Sequence, residues 1–101
     1  EGGVLKMTPE HVQQMLPQVP GWEVDTMTEK ISRKWKFKDF KEAMVFVNTV
    51  ADIANAEDHH PDFLINYSRV TLTLWTHAIG GLSENDFIVA AKINDCVQGG
   101  R

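Results

Sequence analysis

The sequence predicts an α+β fold: one four-stranded antiparallel sheet with three helices packed on one face. Strand-like segments come in two adjacent pairs, each joined by a short polar connection, as antiparallel hairpins are. A long amphipathic helix pattern separates the pairs, and shorter helical patterns open and close the chain. A sheet covered on one side leaves its other face to pair with a subunit or line a cleft.

Thr8-Pro9 reads as an N-cap followed by proline at the first helical position, where its missing N–H costs nothing. Val12, Met15 and Leu16 follow at helical spacing, and Pro17 or Pro20 ends this helix. After the Pro20-Gly21 turn, Trp22 to Val24 begins one strand and Lys30 to Phe37 forms the next. In the second strand Ile31, Trp35 and Phe37 share a face with Arg33, an imperfect alternation. Asp39 and Glu42 fit a capping box. Behind it Phe40, Ala43, Met44, Val47, Val50, Ala51 and Ala54 form an apolar stripe that Phe46 and Ile53 widen. This helix must end before Pro61. Phe63 to Tyr67 and Val70 to His77 read as a second hairpin joined at Ser68-Arg69. Val70, Leu72 and Leu74 take one face of the last strand, and Thr71, Thr73, Trp75 and His77 the other. Ser83 and Asp86 fit a second capping box, opening a helix through Phe87, Ala90, Ala91 and Ile93 that Gly99-Gly100 closes.

With 101 residues, the chain is expected to hold one domain over 8–98, preceded by a disordered or trimmed segment over 1–7. A net charge of −4 argues against direct nucleic-acid binding, which needs a clustered cationic excess. The local run Lys30, Arg33, Lys34, Lys36, Lys38 and Lys41 is interrupted by Asp39 and reads as a solvated face. The lone Cys96 cannot form an internal disulfide and points to a reducing, cytoplasmic setting. No apolar run approaches the roughly 20 residues that span a bilayer, and no secretory leader pattern is present.

Chemistry concentrates in Glu57-Asp58-His59-His60-Pro61-Asp62, where the long helix gives way to a strand. Adjacent histidines beside carboxylates supply bases that titrate near neutrality. Pairing of the second hairpin brings His77 toward His59 and His60, and three imidazoles in one pocket suit general acid–base work. A zinc centre is the competing reading. Neighbouring residues in an extended segment point opposite ways, however, and no Cys-x-x-Cys or His-Glu-x-x-His spacing occurs. Trp22 and Trp75 are candidates to stack on a flat heterocycle, whereas Trp35 reads as core. Asp86 reads first as a capping carboxylate and second as a substrate contact. Cys96 reads as a small buried hydrophobe rather than a nucleophile.

Asp58-His59-His60-Pro61, Tyr67, Thr76-His77 and Gly81-Leu82-Ser83-Glu84 with Asp86 together resemble the signature of pterin-4a-carbinolamine dehydratases. Pro20-Gly21-Trp22 and Phe37-Lys38-Asp39-Phe40 also resemble family segments, so the likeness runs from Thr8 onward. The resemblance implies dehydration of 4a-hydroxytetrahydropterin to quinonoid dihydropterin, with no metal or organic cofactor. It implies that His59 and His77 are the acid–base pair and that His60 binds the pterin and can serve as alternate acid. Asp58, Trp22, Trp75, Thr76 and Asp86 complete the expected substrate-binding set. The family usually carries an acidic residue four positions before the first histidine, where this chain has Asn55. The resemblance also implies a homodimer or homotetramer. An alternative function on the same scaffold is a non-catalytic interaction or assembly protein, with a protein partner.

Overall fold

In a computed structural model, which describes residues 4–99, the chain forms seven elements and two 3-10 turns. They are α1 (Pro9–Met15), β1 (Glu23–Val24), β2 (Ile31–Lys36), α2 (Phe40–Glu57), β3 (Asp62–Asn66), β4 (Arg69–Leu74) and α3 (Glu84–Gly99). The strands make one antiparallel sheet in the order β1-β2-β4-β3, as the α+β reading requires. Residues 1–3 of the expected N-terminal segment lie outside the described residues, as does Gly100 of the expected closing pair. Met7 is buried, and its N–H donates to Leu82 O at 2.8 Å.

The register explains the core. Ile31 pairs with Leu74, Arg33 with Leu72 and Trp35 with Val70, so the apolar residues of both central strands share one face. Ile31, Val70, Leu72 and Leu74 are fully buried there. The helices cover this face. Trp35 packs on Phe46 of α2 with ring centroids 4.8 Å apart, Val12 of α1 and Ile93 of α3 join the same cluster, and apolar burial supplies the driving force. Arg33, the residue that spoils the alternation in β2, has a structural partner set. Its guanidinium donates to Pro20 O and to Asn94 Oδ1, both at 2.8 Å, and lies over the Trp35 ring. A cation on the core face is tolerated because it is bonded rather than merely buried.

Several boundaries differ from the sequence expectation for local reasons. Thr8 caps α1 by accepting from His11 N–H, but Pro17 sits inside a following 3-10 turn, Leu16–Gln18, instead of stopping the chain's helical path. Asp39 accepts from Glu42 N–H at 2.9 Å as expected, while Glu42 reaches back one residue further, to Lys38 N–H. The buried seam of α2 is Ala43, Phe46, Val50 and Ala54. Phe40 falls outside it, 47% exposed, with its ring parallel to that of Tyr67. The β3–β4 turn is Tyr67-Ser68, because Arg69 already pairs with Asn66, and Tyr67 takes the positive φ that such a tight turn demands. His77 is not on β4 at all. Thr76 bridges to Gly81, and the chain between them coils into a 3-10 turn, His77–Ile79, closed by Gly80 at φ 63°.

Candidate active site

The site forms where α2 stops. Asp58 adopts the left-handed conformation (φ 54°, ψ 41°), and its N–H is directed to Ala54 O and Asn55 O. His59 N–H then donates to Ala54 O at 3.1 Å, completing a helix C-cap that satisfies the Ala54 and Asn55 carbonyls. The sharp reversal sends the two histidines in opposite directions. His59 is 2% exposed, whereas His60 is solvent-facing. Pro61 is buried and leads directly into β3.

Beneath the surface, His59 Nε2–H donates to Asp86 Oδ1 at 2.6 Å. The other oxygen of Asp86 accepts from Thr76 Oγ1–H at 2.8 Å and from Ser83 N–H at 3.0 Å. Ser83 Oγ lies 2.7 Å from Thr76 Oγ1 and accepts from Asn85 N–H. Asp86 and Ser83 therefore do form the expected capping pair at the head of α3, and the same carboxylate also anchors a histidine. Asp86 is completely buried, so in this arrangement it touches His59 rather than anything in the cleft. A carboxylate held by three donors, close to a helix N-terminus, is compensated for its loss of water.

Above this network is an open cleft of about 310 Å³ lined by His59, His60, Pro61, Asp62, Trp75 and His77. Three of the chain's four histidines thus meet in one place, as the hairpin argument anticipated. His60 Nε2–H donates to the amide oxygen of Asn55 at 3.0 Å, so the position that departs from the family pattern lies against the second histidine. His77 is exposed, and its ring stacks on Trp75 with centroids 4.0 Å apart. Thr76 contributes from below, through Asp86, and is itself buried. Asp58 is exposed at the helix cap and does not line this cleft.

Trp22 is placed elsewhere. Its indole N–H donates to Asn94 Oδ1 at 2.9 Å, and its ring meets Trp35 edge-on, 5.7 Å away. The residue is 5% exposed, a core aromatic whose polar end is satisfied internally and not a wall of the cleft. Two cleft-side residues escape the sequence selection. Asp62 Oδ2 accepts from Trp75 Nε1–H at 3.2 Å, and Lys30 Nζ lies 4.3 Å from the Trp75 ring centre. The signal for Asp62 was available. It pairs with Thr73, two residues before Trp75, which makes it the diagonal neighbour of Trp75 on the outer sheet face.

Among the described residues no three His, Cys, Asp or Glu side chains are grouped so as to hold a metal ion. Cys96 lies apart from the cleft, half-buried. Burial pushes its thiol pKa up and the neighbouring Asp95 charge adds to that, an environment that disfavours the nucleophilic thiolate. No helix is long and apolar enough to cross a membrane among the residues described.

The Asp86 network carries a stability prediction. Asp86→Ala leaves the Thr76, Ser83 and His59 donors facing a void, and is expected to lower the unfolding free energy by about 3–5 kcal/mol in urea titration. The exposed Glu84→Ala, in the same helical turn, is expected to cost no more than about 1 kcal/mol. Equal effects of the two substitutions would remove the network from its structural role.

The sequence profile of the family described as pterin 4 alpha carbinolamine dehydratase matches residues 5–96. A relative from Halorhodospira halophila whose name points to the same dehydratase is 49% identical, covering 93% of this chain and 86% of its own length. The Arabidopsis thaliana protein named pterin-4-alpha-carbinolamine dehydratase 2, mitochondrial, is also 49% identical; the match covers 88% of this chain and 49% of that protein. Among solved structures, a protein from Brucella melitensis described as a transcriptional coactivator/pterin dehydratase superposes with a TM-score of 0.85 at 36% identity, covering 90% of this chain and 97% of that one. Sheet order, histidine cleft and sequence agree, and the chain belongs to the pterin 4 alpha carbinolamine dehydratase family.

Proposed function

We propose that the protein is a hydro-lyase that dehydrates a 4a-hydroxytetrahydropterin to the quinonoid dihydropterin. The observation that carries this reading is the convergence of His59, His60 and His77 on one cleft. The reaction breaks the C4a–O bond and the N5–H bond and forms the C4a=N5 double bond. The hydroxyl leaves as water with a proton from an acid, and a base takes the proton from N5. His59 and His77 are the acid–base pair, and His60 contacts the pterin and is the alternate acid. Asp86 holds His59 in one tautomer, since a carboxylate only accepts and so fixes the proton on Nε2. Two imidazoles at the cleft can exchange roles from one turnover to the next, which a reaction that consumes one proton and releases another requires. The cleft volume is at the small end of ligand pockets, in keeping with a bicyclic ring rather than a larger substrate.

A homo-oligomer accompanies this reading. β3 is a sheet edge with Phe63 and Leu64 37% and 57% exposed, and an unpaired apolar edge is a template for a second copy. The reducing compartment inferred from a lone cysteine is not tied to one organelle, since one relative carries a mitochondrial name. A second reading, a protein-binding role, draws on the same exposed apolar positions and on the word coactivator in the Brucella relative's description.

Dehydration of the 4a-carbinolamine, followed by ultraviolet absorbance, tests the enzyme reading. His77→Ala is expected to lose a factor of about 10² or more in rate, the usual worth of a positioned acid or base. A wild-type chain no faster than buffer would leave the binding role in its place. Asn55→Glu is expected to move the pH–rate profile to higher pH, because a carboxylate beside His60 favours the charged imidazole where an amide does not. Superimposable profiles would sink that account. Light scattering at micromolar concentration is expected to give a dimer or larger; a monomer mass refutes the oligomer.

A further inference from the structure

Resting on the dehydratase reading, we propose that Trp75 is a positioning residue for His77, and not a surface on which the pterin stacks. His77 lies on a short 3-10 turn and is exposed, so nothing in its own element restrains the ring. An imidazole in that setting loses effective concentration to rotamers that point away from the substrate. Among the described residues the ring that meets His77 is Trp75, at 4.0 Å between centroids and 28° between planes. That geometry is an aromatic stack, which holds the imidazole plane without using either of its nitrogens. The stack leaves both ring nitrogens to proton transfer, whereas a hydrogen-bonded anchor would occupy one of them.

Trp75 is itself fixed from two other segments. The Asp62 carboxylate at the start of β3 accepts the indole N–H, which sets the rotation of the ring. The Lys30 ammonium, one residue before β2, lies 4.3 Å from the ring centre. Thr76, next in the chain, is tied to Gly81 through its backbone and to Asp86 and Ser83 through its hydroxyl, so the peptide joining Trp75 to His77 is anchored as well. A ring that already contacts an imidazole and an ammonium has less open face to offer a substrate. The chain Asp62–Trp75–His77 thus does for His77, at the exposed side of the cleft, what Asp86 does for His59 beneath it.

The test combines a spectrum and a rate on the full chain. In proton NMR of the unliganded protein, the ring protons of His77 are expected upfield of those of exposed His11, shifted by the indole ring current. Trp75→Leu is expected to abolish the shift and to lower kcat about two- to tenfold with KM unchanged, the fold-change matching the strength of one aromatic pair. Trp75→Phe, which restores a stacking ring, is expected to recover much of both. Asp62→Ala keeps the ring and frees the indole N–H; it guards against a Trp75→Leu protein that fails to fold, and is expected to reduce the shift and kcat in the same direction. Unshifted His77 signals in the wild type overturn the proposal. So does a Trp75→Leu protein whose KM rises while kcat holds, since that marks a substrate contact. A wild-type chain without dehydratase activity overturns the reading of the reaction, and the positioning role with it, and is told apart from failure of the stack by the upfield signals remaining.

Discussion

A single buried carboxylate ties this fold together. Asp86 has no exposure, yet it joins three parts of the chain: the segment after α2, the strand exit at Thr76 and the head of α3. Removing a carboxylate from water costs several kcal/mol unless its oxygens are fully engaged. Here two of the donors, the Thr76 hydroxyl and the Ser83 amide, converge on one oxygen, and His59 takes the other. None of these groups can shift alone without stranding the others. The helix start, the β4 exit and the histidine are therefore set in one cooperative arrangement, and the cleft above inherits its shape.

The cleft's position follows from two chain reversals at one end of the sheet. At the end of α2 the left-handed Asp58 closes the helix within a single residue, and at the end of β4 the Thr76–Gly81 bridge turns the chain over Gly80. Each reversal delivers histidine side chains just past the last regular hydrogen bond. The backbone there is committed to capping, so the side chains are what remain to face the cleft. Asp58 accepts the left-handed conformation because a short polar side chain pays less for it than a branched or bulky one.

Much of this was legible because local rules and global fold agree. The alternation of Val70, Leu72 and Leu74 gives the buried face of β4 directly, and the Ser83–Asp86 spacing marks the head of α3. What escaped depends on contacts across the sequence. Arg33 looks like an error in a strand pattern until Pro20 and Asn94 are known to lie beside it. Trp22 looks like a cleft aromatic until Asn94, far along the chain, takes its indole N–H. His77 fits the parity of β4, but pattern alone cannot reveal that the Thr76–Gly81 bridge ends the strand three residues early. Phe40 fits the helical stripe, yet at the first residue of α2 it stays exposed and its ring lies against Tyr67 rather than in the core. Asp86 was readable as a cap and only the fold discloses its second bond, to His59.

The three histidines are consequently unequal as objects of experiment. His59 is part of the bonded interior, so replacing it disturbs the packing of α2 against α3 together with any chemistry it performs. His60 and His77 stand at the surface, held by an amide and by an aromatic face respectively. Surface groups of that kind can be changed at little cost to folding, so a lost rate there reports on the reaction itself. A buried imidazole with a fixed proton and two exposed ones with adjustable partners divide the work between permanence and exchange. The bond from His59 to Asp86 keeps one side of the cleft in constant geometry, while the two exposed rings stay open to water. The proposed acid–base chemistry draws on both properties, and one side chain could not supply them together.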